Sequence, residues 1–176
     1  MLILKLRKMK KLLLTAVAVF AFGFANAQDT QFKIGANVGL PLGDFKDSYS
    51  LAAGLDVAYL WEVSDAFKVG ATTGFGTFSG KTTDYSVGGY SFSVKVPSFN
   101  YIPVAATADF AVSDNLFLGA DLGYAINASS DGGEGGFLYQ PKFGYNAEKF
   151  QVYLGYKGIS NNGTLSSLNL GFAYKL

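Results

Sequence analysis

"LNLGFAYKL", residues Leu168–Leu176, puts a large apolar residue at every second position. Leu168, Leu170, Phe172, Tyr174 and Leu176 share one parity, and Asn169, Gly171, Ala173 and Lys175 share the other. Period two marks a strand whose two faces meet unlike surroundings. The same alternation recurs upstream and predicts strands over residues 32–42, 51–62, 67–78, 99–110, 116–125, 137–145 and 150–159, eight with the quoted one.

The second face of these strands is as informative as the first. It carries Lys33, Asp56, Glu62, Lys68, Asp109, Asp121, Lys142, Lys157 and Lys175, while no charge falls on an apolar face. Gly, Ala, Ser, Thr and Asn make up most of the remainder, with Leu60, Phe78, Tyr101, Phe117 and Tyr153 as bulky exceptions. A soluble sandwich or barrel turns its apolar face inward. Two features predict the reverse. Large aromatics sit at the ends of the apolar faces, and the polar faces are rich in Gly, which suits a crowded interior. An apolar outside and a polar inside define a membrane barrel.

The connections alternate. Val63–Ala66, Ala111–Asn115 and Asn146–Lys149 are short, whereas Gly43–Ser50, Ser79–Ser98, Ile126–Gly136 and Ser160–Leu165 are longer and polar. "VSDAFKVGATTGF" (63–75) is similar to "VSDNLFLGADLGY" (112–124), each covering a tight turn and the strand that leaves it. Asp65 and Asp114 are expected to support those turns through side-chain-to-backbone hydrogen bonds. An even strand count brings both ends of the sheet to one side, so the last strand is expected to pair with the first and remove the open edges.

The N-terminus reads as an export signal. Lys5, Arg7, Lys8, Lys10 and Lys11 precede an apolar run from Leu12 to Phe24, and Ala25-Asn26-Ala27 fits a small-x-small cleavage site. Residues 1–27 are expected to be a signal peptide and 28–176 the barrel domain. The remaining nine Lys face thirteen acids, a net charge of about −4 with no Arg. Nucleic-acid binding has no electrostatic footprint in such a chain. His and Cys are both absent. Disulfides, thiol nucleophiles, Ser-His-Asp triads and His-ligated metals are thereby excluded.

This set of features resembles the small outer-membrane β-barrel proteins, especially the barrel-domain family common in Bacteroidota, in shape like OmpA- and OmpX-type barrels. "NYIPVAATADF" (100–110) looks like that family's fourth strand, with an Ile-Pro after an aromatic. The resemblance implies an eight-stranded antiparallel up-and-down transmembrane β-barrel in the outer membrane. It implies outer-membrane lipids and the barrel-assembly machinery as partners. Leu168, Leu170, Phe172, Tyr174 and Leu176 would form the assembly signal, with Leu176 where the best-studied barrels carry Phe.

The expected role is structural or interactive, without enzymatic activity or cofactor. Asp56, Glu62, Lys68, Asp121, Lys142 and Lys157 are expected to form a charge network in the lumen, since charges taken from water need partners. "DGGEGG" (131–136) reads as a flexible loop rather than a cation site, which needs six or more oxygens. Asn162-Gly163 fits a tight turn. In the second long connection Tyr90, Phe92, Val94 and Val96 keep the parity of Ile102 and Val104. One strand from Tyr90 to Phe110 would overshoot a bilayer as half of a hairpin turning near Gly88-Gly89 and leave an edge for an extracellular protein partner; the other reading of the segment is a loop folded over the barrel mouth. Two other readings stay open: a narrow channel or transporter, and a soluble periplasmic lipocalin-like binder of an apolar ligand with its faces reversed.

Overall fold

A computed structural model describes residues 30–176 except Gly89 and Asp131. The signal peptide expected over residues 1–27 lies outside the described residues. Eight strands close into an antiparallel barrel: β1 (Thr30–Leu42), β2 (Tyr49–Ser64), β3 (Phe67–Gly80), β6 (Phe99–Ser113), β7 (Leu116–Asn127), β8 (Gly136–Asn146), β9 (Phe150–Ser160) and β10 (Thr164–Lys175). The two remaining strands, β4 (Thr82–Val87) and β5 (Tyr90–Lys95), form a separate hairpin. Each barrel strand contains or nearly contains its predicted segment.

The seam closes as expected. β1 pairs with β10 from Lys33↔Lys175 to Leu42↔Ser166. Beyond it, Leu176 donates its backbone N–H to the Phe32 carbonyl at 2.9 Å. No edge of the barrel sheet is left open to template aggregation.

The faces lie as the alternation predicts. Ile34, Val38 and Leu40 of β1 are exposed, while Lys33 and Asn37 at the alternate positions are buried. The quoted C-terminal residues Leu168, Leu170, Phe172 and Tyr174 all point outward. All five bulky exceptions, Leu60, Phe78, Tyr101, Phe117 and Tyr153, are buried and fill the interior. The lipocalin-like alternative fails on this point. Its interior would be apolar and its exterior polar, and here the surface belt is apolar and Lys33, Asp109, Asp121 and Lys157 are inside.

Glycine makes the filled interior sterically feasible. A β-carbon at Gly76 would sit 2.2 Å from the Tyr101 ring, and one at Gly171 would sit 2.1 Å from the Tyr153 ring. Each glycine thus accepts a ring laid flat on the inner wall.

The internal repeat has a structural counterpart. In both copies the ladder shifts register just before the turn, between Glu62 and Ser64 and between Ala111 and Ser113. These β-bulges leave Val63 and Val112 exposed. The expected turn bonds of Asp65 and Asp114 are not formed among the described residues. Both carboxylates instead line an open vestibule at this end of the barrel.

Two further expectations are corrected. The connection read over Ser160–Leu165 as long is a tight turn at Asn161–Gly163, with Asn162 at φ 50° and the Asn161 N–H donated to the Gly163 carbonyl at 2.9 Å. Asn162-Gly163 supplies that turn, as its composition suggests. Nor does one strand run from Tyr90 to Phe110. It is interrupted over 96–98, where Pro97 has no N–H to continue a ladder. Pro103 and Pro141 act more gently. The β3–β6 ladder skips between Thr73↔Val104 and Gly76↔Tyr101, and the β8–β9 ladder skips between Tyr139↔Gly158 and Lys142↔Gly155.

Candidate functional site

The lumen is layered from the short-turn end to the long-loop end. The first layer is polar. Lys33 Nζ donates to Asp109 Oδ2 at 2.6 Å and to Gln151 Oε1 at 2.9 Å, and Gln151 Nε2 donates to the same Asp109 oxygen at 3.1 Å. Glu62 and Lys68 pair across the first tight turn at 3.1 Å, and both are partly exposed. Lys175 Nζ reaches the Asn146 side chain and the Ala147 carbonyl.

A second layer lies deeper. Lys142 Nζ and Thr107 Oγ1 both donate to Asp121 Oδ1, at 2.7 and 2.6 Å. Lys157 and Asp56 are joined through Asn37, whose amide donates to Asp56 at 3.0 Å and whose carbonyl accepts from Lys157 at 3.2 Å. Tyr153 and Tyr101 lie beneath Lys142 and Lys157, with Nζ-to-centroid distances of 5.5 and 5.8 Å. Of the residues expected to form a lumen network, Glu62 and Lys68 thus meet as a pair beside the turn, and Asp56, Asp121, Lys142 and Lys157 make their contacts in the deeper layer.

The sequence reading missed the most buried pair. Lys33 and Asp109 were placed on the inner face without being paired. Their contact spans the barrel interior, and parity along a strand carries no signal for it. It also missed the third layer. Ala52, Phe78, Tyr101, Ala105, Ala125, Leu138 and Ile159 form one apolar cluster toward the long-loop end. Leu138 and Ile159 hold inner positions of the eighth and ninth strands, so their parity was the available signal. The void left among the deeper polar groups has a volume of about 30 Å³, room for about one or two waters. By contrast the vestibule at the short-turn end holds about 410 Å³.

The hairpin is the main feature standing clear of the barrel. Tyr85 pairs with Phe92 and Thr83 with Val94, so one face of the ribbon is aromatic and aliphatic. The Tyr85 and Phe92 rings stack at 5.5 Å. On the other face Ser86 bonds Ser91 and Ser93 bonds Asp84. Tyr90, Phe92 and Val94 are exposed within β5, with Tyr90 82% accessible. Val96 lies past the strand end, and its N–H is already donated to the Lys81 carbonyl at 2.9 Å. Lys81 in turn donates its N–H to Ser48, which pins the ribbon's stem to the first loop.

A scan against protein-family models finds no match, and no curated protein matches either. Solved structures do. The chain is similar to a de novo designed transmembrane β-barrel, at 16% identity and a TM-score of 0.52 over 83% of this chain and 95% of that one. It is similar to Ail, the attachment invasion locus protein of Yersinia pestis, at 16% identity and a TM-score of 0.51 over 84% of this chain and 97% of that one. Ail in a phospholipid bilayer nanodisc gives 17% identity and a TM-score of 0.50 over 82% and 99%. The chain thus has the fold of an eight-stranded transmembrane β-barrel.

That fold gives the aromatic rings a task. Phe67, Phe110, Tyr145, Phe150 and Tyr174 are exposed beside the short turns or the strand ends, while Phe75, Tyr124, Phe137 and Tyr156 are exposed toward the other rim. Such rings suit the two membrane interfaces. Trp61, the only Trp, lies at the short-turn end of β2 and packs edge-on against Tyr59 at 5.2 Å, a place that suits the first of these interfaces. Its fluorescence is expected to be quenched most by lipid quenchers placed near the headgroups. Strongest quenching at the bilayer centre would contradict this placement.

Proposed function

We propose that this chain is a non-enzymatic protein of the bacterial outer membrane, exported by residues 1–27, whose barrel anchors the β4–β5 hairpin outside the cell to contact a protein partner. The single observation that carries the reading is the contrast between a closed lumen and an open ribbon. Phe78, Tyr101, Leu138 and Ile159 are packed together across the interior. In the hairpin, Tyr90, Phe92 and Val94 are exposed on a strand paired along one edge only. A partner strand added there would gain affinity from backbone hydrogen bonds and specificity from alternate side chains.

Further features support the same reading. The outward belt of Leu168, Leu170, Phe172 and Tyr174, continued by Leu176, presents the C-terminal pattern that the barrel-assembly machinery reads in proteins of the resembled kind. Tyr101-Ile102-Pro103 in β6, the fourth barrel strand, supports the narrower likeness to the Bacteroidota-type domain. The lumen carboxylates Asp56 and Asp121 are engaged by Asn37, Thr107 and Lys142, an arrangement that suits structural pairing.

Deleting Lys81–Lys95 and rejoining the ends with a short Gly-containing turn is expected to leave a heat-modifiable barrel in the outer-membrane fraction. A photoreactive residue at Phe92 of the intact chain is expected to trap one discrete protein on whole cells. If Phe92 adducts are absent, or if the barrel conducts ions steadily in planar bilayers, display is the wrong reading, in the second case in favour of the channel.

A further inference from the structure

The long-loop mouth of the barrel holds a cup of about 170 Å³ directly above the apolar cluster. Three rings line it, from three separate segments: Phe45 of the first loop, Tyr49 at the start of β2 and Phe99 at the start of β6. Ile159 and Leu165 add aliphatic wall. Glu134, from the loop between β7 and β8, is the only charged group among the described residues lining it.

Each ring is held in place by a neighbour. Phe45 lies against the Asn162-Gly163 turn, where a β-carbon at Gly163 would be 3.5 Å from its ring. Tyr49 stands edge-on to the buried Phe78 at 5.9 Å. Phe99 stacks on Tyr101 at 5.7 Å with 17° between the planes. Glu134 is steered by Asn161, whose amide donates to the Gly135 carbonyl at 2.8 Å and to the Glu134 carboxylate at 3.4 Å. A concave, largely apolar wall with a few convergent polar groups, here Glu134 and Asn161, is the usual form of a small-molecule site.

We propose that this cup binds a compact organic cation of the alkylammonium class. The chemistry is selective. Ring faces carry negative quadrupole potential and attract a cation whose charge is spread over apolar surface. The Glu134 carboxylate supplies the counter-charge, and the aliphatic walls accept methyl groups without demanding hydrogen bonds. A hydrated metal ion gains little here, because one carboxylate is far from the six or more oxygens a hard cation requires. An anion would meet the Glu134 carboxylate with the wrong sign. The site opens on the side away from the polar vestibule, so the ligand arrives from the long-loop end without crossing the barrel.

Choline and its neutral isostere 3,3-dimethylbutanol separate charge from shape. The full mature barrel would be titrated with each in alkyl maltoside micelles, which carry no ammonium group, with amide and side-chain NMR shifts as the readout. Saturable shifts at Phe45, Tyr49 and Phe99 are expected with choline and not with the isostere. Phe99→Leu and Glu134→Gln are each expected to weaken choline binding by about twofold to fivefold, the range for a cation–ring contribution at an exposed site. Both variants should keep the parental heat-modifiable gel mobility, which separates lost binding from lost folding. Equal binding of the two ligands would make the cup a plain apolar site and overturn the proposal. So would the absence of saturable shifts, or unchanged choline affinity in folded Glu134→Gln and Phe99→Leu proteins.

Discussion

Asp109→Ala is expected to destabilise the barrel by about 3–5 kcal/mol, the range for removing one partner of a buried ion pair. Lys33 is only 5% exposed, and its ammonium would keep just the Gln151 oxygen as a partner. Loss of Asp109 also frees the Gln151 amide bond to that carboxylate. The paired change Lys33→Met with Asp109→Leu removes both charges and is expected to recover most of the loss, because no uncompensated charge remains. Urea-dependent folding into lipid vesicles, read by gel mobility, measures all three proteins. If Asp109→Ala costs less than about 1 kcal/mol, the pair is solvated from the vestibule and the layered description of the lumen needs revision.

The second large effect concerns the other face. Leu118→Lys and Leu154→Lys are each expected to cost about 2–4 kcal/mol, the range for a lysine placed at the bilayer midplane on a barrel's lipid face. In water neither change should matter, since Leu118 is 51% and Leu154 56% exposed. The experiment therefore reads the solvent around the barrel. Val112→Lys makes the control: Val112 is also exposed but sits in the bulge beside a tight turn, where about 0–1 kcal/mol is expected. Equal and negligible costs at all three positions would place the belt in water.

Why the strands were so legible has a plain cause. Each barrel strand separates two environments, so most residues within it record which side they are on. Parity then fixes the face and closure fixes the order. What parity cannot supply is who meets whom across the interior. Lys33 and Asp109 lie on strands that are not neighbours in the sheet, and their meeting depends on the tilt and stagger of the whole barrel. The apolar third layer was obscured for a related reason, since Leu138 and Ile159 look like errors in a polar face until their shared depth is seen. The hairpin was half legible. Tyr90, Phe92 and Val94 kept the parity of β6, yet Pro97 ended the ladder between them, and the matching face of β4 became visible only through the Tyr85↔Phe92 register. The cup at the mouth left no trace in the sequence, because its rings come from segments brought together by loop geometry.

The seam between β1 and β10 sets the order in which the molecule can form. Every other barrel contact joins strands close in sequence, or separated only by the small hairpin, and can begin as a local hairpin. The seam alone ties the two ends of the domain, so it carries the largest loop-closure entropy and the highest contact order in the fold. That entropy grows slowly with length, by about 0.6 kcal/mol for each doubling. Zipping Lys33 against Lys175 is thus expected to come late, and the length of the closed loop does not make it thermodynamically prohibitive. Until it happens the nascent sheet has two raw edges and an apolar outer wall, and the chain must be kept from its own copies throughout that interval.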